Sequence, residues 1–245
     1  MWLINSSIGR KLVMSISGLG LILFLTFHMA MNAVALFPGT GYNKICGFLG
    51  ANWYALVATV GLAALMVIHI VYAFILQIQN RRARGNQRYA VTDKPKSVEW
   101  ASQNMLVLGL IVLGGLLVHL VHFWSKMQLT EIVGGHEALV YEGIAIAPTN
   151  GAALIAINFS NPLIVAIYVV WLVAIWFHLT HGFWSAMHTI GWNGTKWIKR
   201  LECISKVYTT IIVIGFLAVP VYFLVRSMMD SNFVLEYIQS TLIIR

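Results

Sequence analysis

Six of the eight histidines in this 245-residue chain fall inside long apolar stretches: His28, His69, His119, His122, His178 and His181. An imidazole at hydrocarbon depth is costly unless it bonds to another helix, faces a bundle interior or does chemistry. One such ring is readily explained as interhelical glue, but one or two on each of four successive stretches call for a shared purpose. Neutral imidazole ligates metals, so the chemistries open to this set are zinc binding and axial ligation of haem iron. The two cysteines, Cys46 and Cys203, are too few for an iron–sulfur cluster or a structural zinc site, which take about four ligands.

The elements that must position these rings are set by composition. The chain is 59% hydrophobic and 10% charged, far below the roughly 25% charge of soluble proteins. A soluble enzyme is excluded. No Lys, Arg, Asp or Glu occurs from Leu12 to Asn43, from Ile45 to Asn80 or from Gly143 to Thr195. Five stretches reach the ~20 residues needed to cross a bilayer: about 12–37, 53–77, 103–125, 162–187 and 207–225. The sequence predicts an all-α integral membrane bundle of five transmembrane helices forming a single domain over 1–245. Residues of about 126–161 are expected to form an ordered outer cap.

The net charge of +8 is not arranged as a nucleic-acid stripe; it reports topology. Arg10, Lys11, Arg81, Arg82, Arg84, Arg88, Lys94, Lys96, Lys196, Lys199, Arg200 and Lys206 all fall on one side of the expected spans. The positive-inside rule makes that side the cytoplasm, with the N-terminus inside and the C-terminus outside. Lys44, Lys126, Arg226 and Arg245 are left on the other side. Trp53, Tyr54, Trp100, Trp124, Trp192, Trp197 and Tyr208 fall near the span ends, as aromatic belts do.

Depth then sorts the histidines. His28 is 17 residues past Lys11 and His122 is 18 past Asn104, so both lie about 25 Å along their helices, toward the outer surface. His69 and His178 are each 16 residues past the outer starts of their spans, Trp53 and Pro162, which brings both toward the cytoplasmic surface. Two histidine layers separated by roughly 15–20 Å result. A single zinc needs its ligands at one depth, which these do not share. Two imidazoles facing each other across a bundle suit a six-coordinate haem, a centre for electron transfer. Gly18, Gly20, Gly61, Gly114, Gly115 and Gly182 are small residues suited to a flat, bulky group.

At these positions the chain resembles the dihaem cytochrome b membrane anchor of succinate:quinone oxidoreductases and quinol:fumarate reductases, in its single-subunit, five-helix type. The resemblance is carried by His28-Met-Ala-Met-Asn32, His69-Ile-Val-Tyr-Ala, His122-Phe-Trp124 and Phe177-His178-Leu-Thr-His-Gly182-Phe-Trp184-Ser185. It covers nearly the whole chain. It implies two b haems, the distal one held by His28 and His122 and the proximal one by His69 and His178. His119 and His181 are left as haem-edge or packed neighbours. Trp184 and Ser185 belong to the family's fourth-span segment, and Arg10 and Lys11 are candidates to neutralise proximal propionates.

The resemblance further implies a flavoprotein and an iron–sulfur protein docked on the cytoplasmic face, and residence in a bacterial inner membrane. Electrons would pass between those subunits and a quinone, expected to be menaquinone, near the distal haem. Asn32, Trp53 and Tyr54 are the quinone candidates. No Asp or Glu lies within the five predicted spans, so no carboxylate proton relay through the membrane is expected. Two other readings stand beside this one: a dihaem subunit of a nitrate reductase, formate dehydrogenase or hydrogenase complex, and a non-redox scaffold with structural histidines.

Overall fold

The structure is a computed structural model that describes residues 6–84 and 100–242. Arg88, Lys94, Lys96 and Arg245 therefore lie outside the described residues. The chain folds into an all-α array with five helices long and apolar enough to cross a membrane, plus one small hairpin.

Helix α1 (Ser7–Ala33) begins where the Ser6 hydroxyl accepts from Gly9 N at 2.9 Å, satisfying one orphan amide of the first turn. After a short 3₁₀ turn (Val34–Leu36), α2 (Gly39–Phe48) precedes α3 (Trp53–Arg84). The third crossing comprises a short α4 (Trp100–Gln103), α5 (Met105–His119), a π-helical stretch (Leu120–Leu129) and α6 (Thr130–Ile132). Strands β1 (Leu139–Tyr141) and β2 (Ile144–Ile146) pair antiparallel. They turn through Glu142 (φ 46°) and Gly143 (φ 80°), the positive-φ pair that two-residue hairpins require. Helix α7 (Gly151–Phe159) follows, then α8 (Pro162–Thr189), whose cap Asn161 accepts from Leu163 N at 2.9 Å. Helices α9 (Thr195–Met229) and α10 (Phe233–Leu242) complete the fold.

Successive long helices alternate in direction, so α1, α5 and α9 start at the end of the bundle that carries Lys11, Arg81 and Lys196. The fifth crossing starts at Thr195, a dozen residues before the expected boundary, because α9 extends beyond its apolar core. Its first turns carry Glu202, paired with Lys206 at 2.6 Å. Glu131 lies at the opposite end of the third crossing. Among the described residues, no carboxylate lies in the middle of a long helix: Glu137 and Glu142 belong to the hairpin region and Glu236 to α10.

Four of the long helices are linked as a chain of neighbours: α3 packs along α1, α1 along α8, and α8 along α5, with α9 laid against α1 and α8. The extensive packing of α3 is confined to α1, and no residue in its most apolar 18-residue stretch is buried.

The expected cap is larger than the sequence suggests. Helix α7 is its centre, with Ala152, Ala153, Leu154 and Ala156 fully buried. It is enclosed by α2 and α10 as well as by the upper parts of α8 and α9. Asn150 organises this cluster: its Oδ1 accepts from Ala153 N at 3.1 Å and from Asn43 Nδ2 at 2.8 Å, while its Nδ2 donates to Thr241 Oγ1 at 3.0 Å. Asn43 Oδ1 in turn accepts from Ala152 N at 3.0 Å. One residue thus ties α7 to both enclosing helices. Cys46 is buried here, and burial pushes its thiol up to about 12. Tyr237 is likewise raised to about 12 by burial.

Two outcomes follow. Asn150→Ala should cost about 1–3 kcal/mol, the penalty of stranding buried partners, read as a lower thermal midpoint of the detergent-solubilised chain. Because the thiolate is the reactive species, iodoacetamide at pH 8 should modify the exposed Cys203 and spare Cys46. Mass spectrometry should find one adduct per native chain and two after denaturation.

Candidate functional site

The histidines meet across the diagonals of the four-helix array. His69 on α3 and His178 on α8 bring their ring centres to 6.4 Å, with planes at 67°. His28 on α1 and His119 on α5 approach to 5.8 Å, at 84°. Neither α3 and α8 nor α1 and α5 pack extensively against each other. The rings therefore reach over a width that the intervening helix walls set. Two imidazoles bound on opposite sides of one metal, each by a bond of about 2.0–2.1 Å, hold their ring centres roughly 6.3 Å apart. The two observed separations straddle that value.

The lower pair is positioned from α1 and α5. Ser17 Oγ lies 3.2 Å from His69 Nδ1 and also donates to Met14 O at 3.0 Å, fixing the ring's orientation. A Cβ at Gly18 would come within 3.3 Å of His69 Cε1, and one at Gly109 within 3.6 Å of His178 Cε1. Glycines on the two helices that do not supply this pair thus make room for its rings. The Nδ1 atoms of His178 and His119 are buried without a hydrogen-bond partner, an unusual expense in an apolar interior.

The upper pair lies in an aromatic box. Phe24 stacks on His28 at 5.3 Å, with Phe216 at 5.7 Å, and His119 is flanked by Phe123, Trp171 and Tyr168. Trp171 donates to Val112 O at 2.9 Å, locking α8 to α5. Layer spacing follows from α1 alone: Ser17 marks the level of His69, and His28 lies eleven residues further on, about 16 Å.

The structure places His119, not His122, opposite His28. The physical reason is the π-helical stretch that starts at Leu120. Closure from i to i+5 opens the turn and carries His122 away from the line of His119. His122 stacks on Tyr168 at 6.0 Å, with Tyr168 Oη 3.5 Å from its Nδ1.

The remaining expected residues separate into three places. Asn32 stands by the upper pair: its Nδ2 donates to His28 O at 2.8 Å and lies 3.4 Å from both ring nitrogens of His28, while Tyr42 donates to its Oδ1 at 3.1 Å. Trp53 and Tyr54 lie at the start of α3, where Trp53 is 77% exposed and Tyr54 donates to Phe48 O at 2.5 Å. Lys11, Trp184 and Ser185 line a groove at the basic end, with His181 against Trp184 at 6.0 Å. Arg10 is half-buried near the start of α1. Ser185 is seven residues below His178, about 10 Å along α8, which sets this groove apart from the lower pair.

Of the expected small residues, Gly18 borders a histidine, Gly20 meets Leu65 and Gly115 lies directly against the Trp171 ring. Gly61, Gly114 and Gly182 face open space. Sequence reasoning missed Ser17, Gly109 and Tyr168; a polar or minimal residue at the depth of a histidine was the available signal. Comparison with protein-family models, with curated proteins and with solved structures finds no match to this chain.

Gly115 and Gly114 provide an internal contrast. Gly115→Val must displace Trp171 and should cost about 1–3 kcal/mol through overpacking. Gly114→Ala, beside open space, should stay within about 0.5 kcal/mol of wild type. Thermal unfolding of both variants checks this.

Proposed function

We propose that this chain is a dihaem cytochrome b subunit of the succinate:quinone oxidoreductase or quinol:fumarate reductase kind. The observation that carries the reading is the pair of histidine couples, each spanning a diagonal of the array at a separation suited to one metal between two imidazoles. Four histidines from four helices, in two layers, with buried ring nitrogens left unpartnered, are poorly explained as interhelical glue.

In this proposal His69 and His178 hold the lower haem, and His28 and His119 hold the upper one. A bound b haem supplies reversible one-electron chemistry without an open coordination position. The chain's own contribution is positioning. Ser17 and Gly18 orient and accommodate His69, Gly109 accommodates His178, and the Phe24, Phe123 and Trp171 rings exclude water from the upper pair. The layer spacing of about 16 Å sets the path across the membrane.

The concentration of Arg and Lys at the lower end supports a cytoplasmic N-terminus in a bacterial inner membrane. It also supports docking of the flavoprotein and iron–sulfur partners on that face. The quinone, proposed as menaquinone, belongs beside the upper pair. Asn32, next to His28, is the polar side chain best situated to hydrogen-bond a quinone carbonyl. Trp53 and Tyr54 lie among surface aromatics instead.

The test is spectroscopic. Full-length chain purified from haem-replete cells should show a Soret band and two haems per polypeptide. His28→Ala and His119→Ala should each leave one haem, His69→Ala and His178→Ala should each leave the other, and His122→Ala should keep both. Colourless wild-type protein would sink the reading. Loss of a haem in His122→Ala but not His119→Ala would overturn the ligand assignment.

A further inference from the structure

A groove of about 340 Å³ opens at the basic end of the bundle between the start of α1 and the end of α8, lined by Ile8, Lys11, Trp184, Ser185, His188 and Thr189. We propose that it binds the phosphate of an anionic phospholipid headgroup.

The polar groups facing this groove call for a hydrogen-bond acceptor bearing negative charge. His188 Nε2 is buried and has no hydrogen-bond partner. Its ring is held against Trp184 at a centroid distance of 4.2 Å. Trp184 is itself fixed, because its indole N–H donates to Ile198 O at 3.2 Å. The His188 ring is therefore held in the groove wall by a fixed aromatic neighbour, and its unpartnered nitrogen lies just beneath the groove surface. Lys11 brings an ammonium group to the same groove. No Asp or Glu lines it among the described residues, and Glu202 on the adjoining α9 is engaged by Lys206. A neutral carbonyl would satisfy one donor but leave the ammonium charge uncompensated. A phosphate oxygen accepts from both and balances the charge.

Position makes the ligand a lipid. The groove lies at the end of two apolar crossings, the level at which headgroups sit. Ile8, 66% exposed at its rim, offers apolar surface where an acyl chain would leave the headgroup. Lys196 and Lys199, on the first turns of α9, add positive charge to the same end, and basic pockets between membrane helices recognise anionic headgroups. The inference uses none of the four paired histidines: Trp184, the lining residue of α8 nearest His178, is six residues from it, about 9 Å along the helix.

Native mass spectrometry of the delipidated full-length chain, titrated with phosphatidylglycerol or phosphatidylcholine, tests it. Wild type should retain phosphatidylglycerol in preference to phosphatidylcholine. Lys11→Gln and His188→Phe should each weaken phosphatidylglycerol retention by roughly fivefold, the worth of one basic contact to an anionic surface. Phosphatidylcholine retention should not change, and Lys44→Gln at the opposite end should behave as wild type. His188→Phe keeps the ring against Trp184, and Lys11→Gln is an exposed change that tests the site separately if the first variant folds poorly. Equal retention of phosphatidylglycerol by wild type and Lys11→Gln overturns the proposal. So does displacement of the lipid by millimolar inorganic phosphate alone, which would mark a free-anion site, or by a short-chain naphthoquinone, which would mark a quinone site.

Discussion

An imidazole carried into an apolar helix bundle has to find a polar or metal partner, because lipid and hydrocarbon side chains offer none. That constraint organises this protein. Ser17 meets His69, and Asn32 reaches over His28, but the buried Nδ1 of His119 and of His178 has no protein partner. What each of the four rings does meet is another histidine from the diagonally placed helix.

Such meetings demand an interior of a particular width. Ordinary ridge-and-groove packing brings helix axes to 8–10 Å, and here it operates between neighbours, α3 with α1, α1 with α8, α8 with α5. It does not operate across the diagonals. Glycines at Gly18 and Gly109 keep the lower rings clear of the flanking backbones, while Trp171 against Gly115 closes α5 onto α8. The cap performs a complementary task. By burying α7 among α2, α10 and the ends of the long helices, it joins the tops of α8 and α9 to the segment that follows α1. α3 packs extensively only along α1 among the described residues, with Thr59 donating to Gln128 of the third crossing at 2.9 Å.

Much of this was written in the residue order. Runs of twenty or more uncharged apolar residues have no alternative to crossing a bilayer as helices, since backbone polar groups need internal partners there. Histidine depth followed from a fixed rise per residue, and the spacing of about 16 Å along α1 lies within the range obtained from counting. The cap was legible only as an ordered segment. That α2 and α10 enclose α7 depends on Asn43 and Thr241 meeting Asn150, three residues far apart in sequence whose hydrogen-bonding capacity gives no hint of their partners.

The histidine of the third crossing shows where counting stops. His119 and His122 are one α-helical turn apart and nearly equivalent by periodicity, so composition and depth admit both. By itself the sequence determined five apolar crossings, the charged end, and which rings lie at which depth, because these depend on local hydropathy and helix rise. Only the tertiary structure decided which rings face each other, since a π-helical turn rotates His122 onto Tyr168 while the diagonal helix presents His28 to His119. The same holds for the groove at Lys11 and His188: its walls come from segments far apart in sequence, and no local pattern announces that α1 begins where α8 finishes.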